Sequence, residues 1–327
     1  MLRDQKKLDV ITNDVLKKAL RYTGKLGTMA SEEEDMPVNA QIETTAAGTV
    51  LSDTGKYAAR AVNERSLSLV PGFDPLDGSS NVDAGIAVGT IFGIFKESEE
   101  TSKACDLPAN LKDLDDDQVS CLAATLQPGK ALVAAGYVLY SCSTELVFTL
   151  GRGVVGFTLD SSIGEYVLTR PNITIPTRGK IYSCNEANIE NWDEPMQKYI
   201  RDIQTGQGET KEKYSLRYIG SMVGDVHRTL LYGGLFAYPA DTKNKDGKLR
   251  LLYEAAPMSF LLEQAGGLAT TGHNRVMDIP PTSVHQRVPI VLGSKEDVEE
   301  CRKYYDESDD PKLKERCANR LKGLVTS

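Results

Sequence analysis

Phe73-Asp74-Pro75-Leu76-Asp77-Gly78-Ser79-Ser80-Asn81 constrains the chain more than any other stretch. Asp74 and Asp77 flank a proline that fixes the backbone between them, so two hard carboxylates and the Leu76 carbonyl can reach one cation. Oxygen donors of that kind suit Mg²⁺ or Mn²⁺ and not zinc. Gly78-Ser79-Ser80 then offers backbone N–H groups and two hydroxyls, the makings of a phosphate cradle. The apolar run Gly89 to Phe95 reads as a buried strand beneath it. An isolated Asp-Pro-x-Asp is often no more than an Asx-Pro turn closed by a Gly-Ser loop. The full nonamer in front of an apolar strand is much more specific.

At 327 residues the chain can form one large domain or two halves sharing a core. A net charge of −8 argues against general affinity for nucleic acid or anionic membranes, so an anionic ligand would need local cations or metal. No apolar run approaches a membrane span. Met1-Leu2-Arg3-Asp4-Gln5-Lys6 shows neither a signal-peptide core nor a transit peptide. The six cysteines lack metal-ligand spacing, which leaves redox chemistry as their only special role.

Leu8, Ile11, Val15, Ala19 and Leu20 predict a helical stripe across Asp4 to Tyr22, with Gly24 as its stop. Asp9 and Asn13 fall off that stripe, where helix residues normally meet solvent. Ser31-Glu32-Glu33-Glu34-Asp35 alone would be a solvated acidic run. Beside a metal site it gains meaning, because one aspartate pair cannot neutralise two or three divalent cations. Glu34 and Asp35 are left as surface charge. Gln127 to Ile175 alternates as antiparallel strands with Cys142 as a buried small residue, and a helix follows near Trp192 to Ile203. His227 fixes a helix in place, since metal-activated hydrolysis needs no histidine. Lys248 projects from a strand that turns at Glu254 into a helix over Ala256 to Gln264, stopped at Gly266-Gly267. A last helix runs from Lys295 to about Tyr305. The remainder is polar, and Cys301 and Cys317 have no readable role.

Phe73 to Asn81, continuing as Val88-Gly89-Thr90-Ile91-Phe92-Gly93-Ile94-Phe95, resembles the signature of fructose-1,6-bisphosphatases. These belong to the lithium-sensitive, metal-dependent sugar and inositol phosphatases. The likeness runs from about Asp4 to about Tyr305 and is nearest to the plastid, redox-regulated form. It implies an α/β (α+β layered) fold of alternating helix and mixed-sheet layers. Residues 1–175 would be a metal-binding half carrying an acidic cysteine-bearing loop at 97–126, residues 176–305 a sugar-bisphosphate-binding half, and 306–327 a polar tail.

The same resemblance implies release of the 1-phosphate of fructose 1,6-bisphosphate by water activated by two or three Mg²⁺ ions, with Mn²⁺ as a substitute. Metal ligands would be Glu32, Glu33, Asp74, the Leu76 carbonyl, Asp77 and Glu254 within Lys248-Leu249-Arg250-Leu251-Leu252-Tyr253-Glu254. Glu33 with Asp9, from Lys6-Lys7-Leu8-Asp9-Val10, would deprotonate the water. Substrate contacts would come from Gly78, Ser79, Ser80, Asn185, Arg217, Tyr218, Met222, Tyr238 and Lys248, the arginine reaching in from a neighbouring subunit of a homotetramer. Asn188 replaces a family tyrosine and takes no such role.

Three departures from the pattern stand out. The family segment before Asp4, which forms an AMP site in many members, is not in this sequence, which implies a fragment or incomplete gene model ahead of a natively short protein. Arg60 to Gly72 reads as an inserted loop or a mistranslated intron, with Leu67 to Val70 able to supply the expected strand. The loop Glu97 to Leu126 resembles the plastid regulatory loop, whose cysteines thioredoxin reduces. On spacing alone Cys105 and Cys121 are as readily two unpaired thiols. By resemblance they are the candidate disulfide, since Leu126 stands where a third cysteine is usual. That loop favours a plastid stroma location over the cytoplasm. Sedoheptulose-1,7-bisphosphatase, an inositol-type monophosphatase and a catalytically inactive homologue are the competing readings. The Lys248–Glu254 stretch with His227-Arg228, the Arg217-Tyr218 and Lys248 clamp, and the intact ligand set argue against them in turn.

Overall fold

A computed structural model describes residues 2–23, 26, 28–39, 69–96 and 122–308. Helix α1 (Leu2–Tyr22) leads into two short strands, β1 (Thr28–Ser31) and β2 (Val38–Asn39). Next come β3 (Leu69–Asp77) and β4 (Val88–Lys96), the latter spanning the predicted apolar run. The predicted alternation then folds as β5 (Leu132–Tyr140), β6 (Thr144–Thr149), β7 (Val154–Asp160) and β8 (Glu165–Ile173). These eight strands form one mixed sheet in the order β2-β1-β3-β4-β5-β6-β7-β8, antiparallel except for the β1–β3 pair. Leu67 to Val70 was the expected source of the strand before Asp74, and β3 does begin at Leu69.

The second half alternates strands and helices: β9 (Ile181–Ser183), α2 (Glu194–Thr205), β10 (Ser215–Leu216), α3 (Met222–Tyr232) and β11 (Leu235–Tyr238). It continues with β12 (Leu249–Arg250), α4 (Ala256–Gln264), β13 (Leu268–Thr270), β14 (Arg287–Val288), β15 (Ile290–Gly293) and α5 (Lys295–Asp306). A five-stranded sheet runs β10-β9-β11-β15-β13. Helices α3 and α4 touch both sheets, and α2 and α5 pack on each other beyond the second. The layers are therefore helix, sheet, helices, sheet, helices, as the α/β layered expectation required. The main core, with Tyr137, Val147, Val226, Leu230, Met258 and Leu261, fills the space between the sheets. A second, with Trp192, Tyr199, Ile203 and Val298, lies beneath α2 and α5. Among the described residues no helix is long and apolar enough to cross a membrane.

Three expectations are corrected. The α1 stripe does not face the core: Leu8, Ile11 and Val15 are exposed, whereas Asn13 is buried. The helix turns Leu16 and Leu20 toward Met29, Phe73 and Phe92. Asn13 meets polar partners there, accepting from the Ser31 hydroxyl (2.8 Å) and donating to Glu34 (3.0 Å). Glu34 also pairs with Lys17, so it is not spare surface charge. Cys142 is exposed, because it sits in the tight turn between β5 and β6 and not in a strand. Cys105, Cys121 and Cys317 lie outside the described residues.

Candidate active site

Along a regular strand Asp74 and Asp77 would point to opposite faces. Between them the register slips: Asp74 faces Ile91 but Asp77 faces Gly89, so three steps on β3 match two on β4. Pro75 has no N–H to give the ladder, and a bulge at this point turns both carboxylates into one pocket. The Asp74 carboxylate accepts from its own loop at Leu76 N–H (2.9 Å). The Pro75 carbonyl is held from below by the Thr90 hydroxyl (2.8 Å).

Asp77 reaches across the chain to α3. Its Oδ2 accepts from Val223 N–H (2.7 Å) and from the Ser221 hydroxyl (3.4 Å). Ser221, the residue before α3, makes no capping bond with its own side chain, so Asp77 serves as a remote cap at the positive end of the helix. Glu254 arrives from the other half. Leu251–Ala255 is one turn of π-helix leading into α4, a widening that recurs at functional sites. The Glu254 carboxylate accepts from Arg250 N–H and is buried, as are Asp74 and Asp77.

One carboxylate oxygen from each of Asp74, Asp77 and Glu254 lies within 4.8 Å of the other two. Burial, then the mutual repulsion of neighbouring carboxylates, lifts Asp74 and Glu254 well above the usual carboxylate range. Burial likewise pushes Asp77 up to about 6 against its hydrogen bond from Val223. Their hydrogen-bond donors are backbone N–H groups and one serine, which leaves much of the negative charge unneutralised. A cluster of hard oxygen donors with these properties fits a divalent cation of the Mg²⁺ type.

Glu32 lines the same pocket from the turn after β1. Glu33 beside it points to the surface, yet partial desolvation and the charges of Asp9, Glu32 and Glu34 raise its carboxyl above the usual range. Asp9 on α1 is raised by burial and by Glu32, with a hydrogen bond from Ser79 opposing. Its Oδ1 is buried without a partner. The predicted pair Glu33 and Asp9 thus lies within electrostatic reach of each other and of Glu32, although neither lines the pocket.

Gly78 adopts φ +79° at the head of the Ser79–Ala84 3₁₀ turn. A Cβ on it would lie 2.5 Å from the Ser221 hydroxyl oxygen, so only glycine fits between the cradle and α3. The pocket encloses about 700 Å³ of open space and is lined by Glu32, Asp74, Leu76, Asp77, Gly78, Ser79, Ser80, Tyr218, Met222, Tyr238, Lys248 and Glu254. Those twelve were all candidates from sequence. Lys248 sits over the Tyr238 ring, Nζ 5.8 Å from its centroid. Burial pushes the Tyr218 hydroxyl up to about 12, keeping it a proton donor. Gly220, Asp225, Phe236 and Leu249 also line the pocket and were missed. Arg217 and Asn185 are not brought in: the Arg217 guanidinium donates to the Leu216 carbonyl (2.8 Å), and the Asn185 side chain caps Glu186–Asn191. His227 lies between α3 and the eight-stranded sheet, bonded to Tyr137 (2.6 Å), in the structural place expected of it.

Comparison with known proteins agrees with this arrangement. Residues 3–171 match the family model "Fructose-1-6-bisphosphatase, N-terminal domain", and residues 175–306 match "Fructose-1-6-bisphosphatase, C-terminal domain". The chloroplastic fructose-1,6-bisphosphatase of Brassica napus is 51% identical over 92% of this chain and 67% of its own length. A cytosolic one from Oryza coarctata is 49% identical over 92% of this chain and 76% of its own. The chain spans about two thirds of the length of the chloroplastic relatives. The crystal structure of Leishmania major fructose-1,6-bisphosphatase in holo form superposes with a TM-score of 0.75 at 40% identity, covering 92% of this chain and 82% of that one. Matched across both halves, with the carboxylate cluster at their junction, the chain belongs to the fructose-1,6-bisphosphatase family.

Proposed function

We propose that this member of the fructose-1,6-bisphosphatase family hydrolyses the 1-phosphate of D-fructose 1,6-bisphosphate, with the carboxylate cluster as its metal centre. The observation that carries the reading is a single pocket with three buried, crowded carboxylates and a glycine-serine cradle, together with Lys248, Tyr218 and Tyr238. Two or three Mg²⁺ ions, with Mn²⁺ as a substitute, held by Glu32, Glu33, Asp74, the Leu76 carbonyl, Asp77 and Glu254, would supply the positive charge that activates water and offsets that of the scissile phosphate.

The chain's own groups do the rest. Backbone N–H groups at Gly78 and Ser79, with Ser80 beside them, hold the transferred phosphoryl group. Glu33 and Asp9, held above the usual carboxylate range, accept the proton of the attacking water. Water adds to phosphorus, the bond to the C1 oxygen breaks, and that oxygen takes a proton to give fructose 6-phosphate and phosphate. Lys248, Tyr218 and Tyr238 hold the 6-phosphate, and Met222 lies against the sugar. Arg217 would join this clamp from a neighbouring subunit of a homotetramer, and Asn185 would join it by giving up its cap on the Glu186–Asn191 turn. The Arg217 guanidinium is exposed and would exchange its bond to the Leu216 carbonyl for that contact.

The chloroplastic relatives support a plastid stroma location and a role in the Calvin cycle, with cytoplasm and gluconeogenesis as the alternative. Thioredoxin would act on a Cys105–Cys121 disulfide. The test is phosphate release from fructose 1,6-bisphosphate with Mg²⁺, with and without dithiothreitol. Metal-dependent release that rises on reduction, and stops responding in Cys121→Ser, is the expected result. Release indifferent to reductant would remove the thiol switch and keep the phosphatase, and no release from folded protein would refute the activity.

A further inference from the structure

The loop Arg217 to Gly220 carries Tyr218 into the pocket, yet only its first residue continues a strand register. It is held instead by one carboxylate. Asp225 on α3 is 0% exposed and accepts from Ile219 N–H (3.0 and 3.1 Å), Gly220 N–H (3.0 Å) and Arg228 Nη2 (2.7 Å). The same Arg228 nitrogen donates to the Arg217 carbonyl. From the opposite side, Asn81 Nδ2 donates to the Gly220 carbonyl (3.0 Å). Asn81 belongs to the 3₁₀ turn that opens with Ser79. The loop is thus tied on one face to α3 and on the other to the turn behind the phosphate cradle.

We propose that Asp225 is the positioning residue of the distal-phosphate clamp, and that with Asn81 it sets the distance between the two phosphate subsites. The inference rests on the proposed role of Tyr218 at the 6-phosphate. Charge-assisted bonds to backbone N–H groups are among the stronger hydrogen bonds, and here several converge on a dry carboxylate. An amide of the same shape would turn N–H toward N–H and release the loop. The reactive subsite would keep its own supports, because Asp77 is held by Val223 and Ser221 and not by Asp225.

The test compares Asp225→Asn and Asn81→Ala with the parent chain on three ligands. Fructose 1,6-bisphosphate uses both subsites, fructose 1-phosphate lacks the distal phosphate, and fructose 6-phosphate carries only that one. For Asp225→Asn, KM for the bisphosphate and Kd for fructose 6-phosphate by calorimetry rise about ten- to a hundredfold. Turnover of fructose 1-phosphate stays within about threefold of the parent. Asn81→Ala shows the same split with a smaller rise and covers the case in which Asp225→Asn does not fold. Equal losses on both substrates, or unchanged affinity for fructose 6-phosphate, would overturn the proposal. A parent chain that hydrolyses neither substrate, while Asp225→Asn still weakens fructose 6-phosphate binding, would refute the assigned activity and uphold the positioning role.

Discussion

Acid should weaken this fold through His227. The imidazole lies between α3 and the eight-stranded sheet, where its Nδ1 is hydrogen-bonded to the hydroxyl of fully buried Tyr137. Burial, then the charge of Arg170, pushes its pKa down to about 4, with Glu145 opposing. The folded protein thus keeps His227 neutral in a range where the unfolded chain binds a proton. The contribution is fully present above 6.5 and is lost as pH falls through the folded value. The gap from 6.5 to about 4 corresponds to about 3 kcal/mol, at about 1.4 kcal/mol per pH unit. Asp77 and Asp297, each pushed up to about 6, act with the opposite sign: they favour the fold below 3.8 and lose that effect as pH rises through 6. The parent profile alone is therefore not diagnostic. His227→Gln keeps an acceptor for Tyr137 but does not titrate, so the difference between the two chains isolates the histidine. By urea denaturation, the advantage of the parent over the variant should shrink by about 3 kcal/mol between about pH 7 and about pH 4. Parallel profiles, or a proton NMR titration placing His227 near 6.5, would refute the reasoning.

Other perturbations separate metal from scaffold. Glu254→Gln relieves the crowding of three buried carboxylates, so the chelated protein should melt a few degrees higher while losing its stabilisation by Mg²⁺, both read by scanning calorimetry. Gly78→Ala forces a side chain into φ +79° and against Ser221, at about 1–2 kcal/mol of backbone strain, and should lower kcat far more than it lowers the melting temperature. Arg178 bonds the buried carboxylates of Asp297 and Glu300. Arg178→Met should cost about 3–5 kcal/mol in denaturant unfolding with the Mg²⁺ dependence of activity unchanged.

What the sequence disclosed was local, and what it withheld depended on partners far along the chain. Asp74 and Asp77 lie either side of a proline, and Gly266 at φ +95° follows α4 closely, so the shared reach of the two carboxylates and the helix stop were readable from local sequence. Asp74 and Asp77 were readable as candidate ligands because the full nonamer in front of an apolar strand is far more specific than an isolated Asp-Pro-x-Asp. The orientation of α1 was not. A stripe of Leu8, Ile11 and Val15 predicts burial, but the surface offered to the helix holds Ser31 and Glu34, and Asn13 satisfies both. Cys142 had a usable signal that apolar content hid: Ser141-Cys142-Ser143 joins two strands in register, Tyr140 against Thr144, and such a turn faces water.

Asp225 was invisible for a deeper reason. Its four-residue distance from Ser221 makes it look like an ordinary residue in the first turn of a helix, where an acid is favourable. What sets it apart is that Asp77, 144 residues from Ser221, already serves as the cap. With the helix end occupied, the Asp225 carboxylate is available to the preceding loop, Ile219 and Gly220. One aspartate of the signature turn thereby anchors the helix at the carboxylate cluster, and an aspartate on that helix anchors the loop that carries Tyr218. On the proposed assignment of the subsites, displacing α3 would disturb both at once, and two distant stretches of sequence would together measure a single substrate.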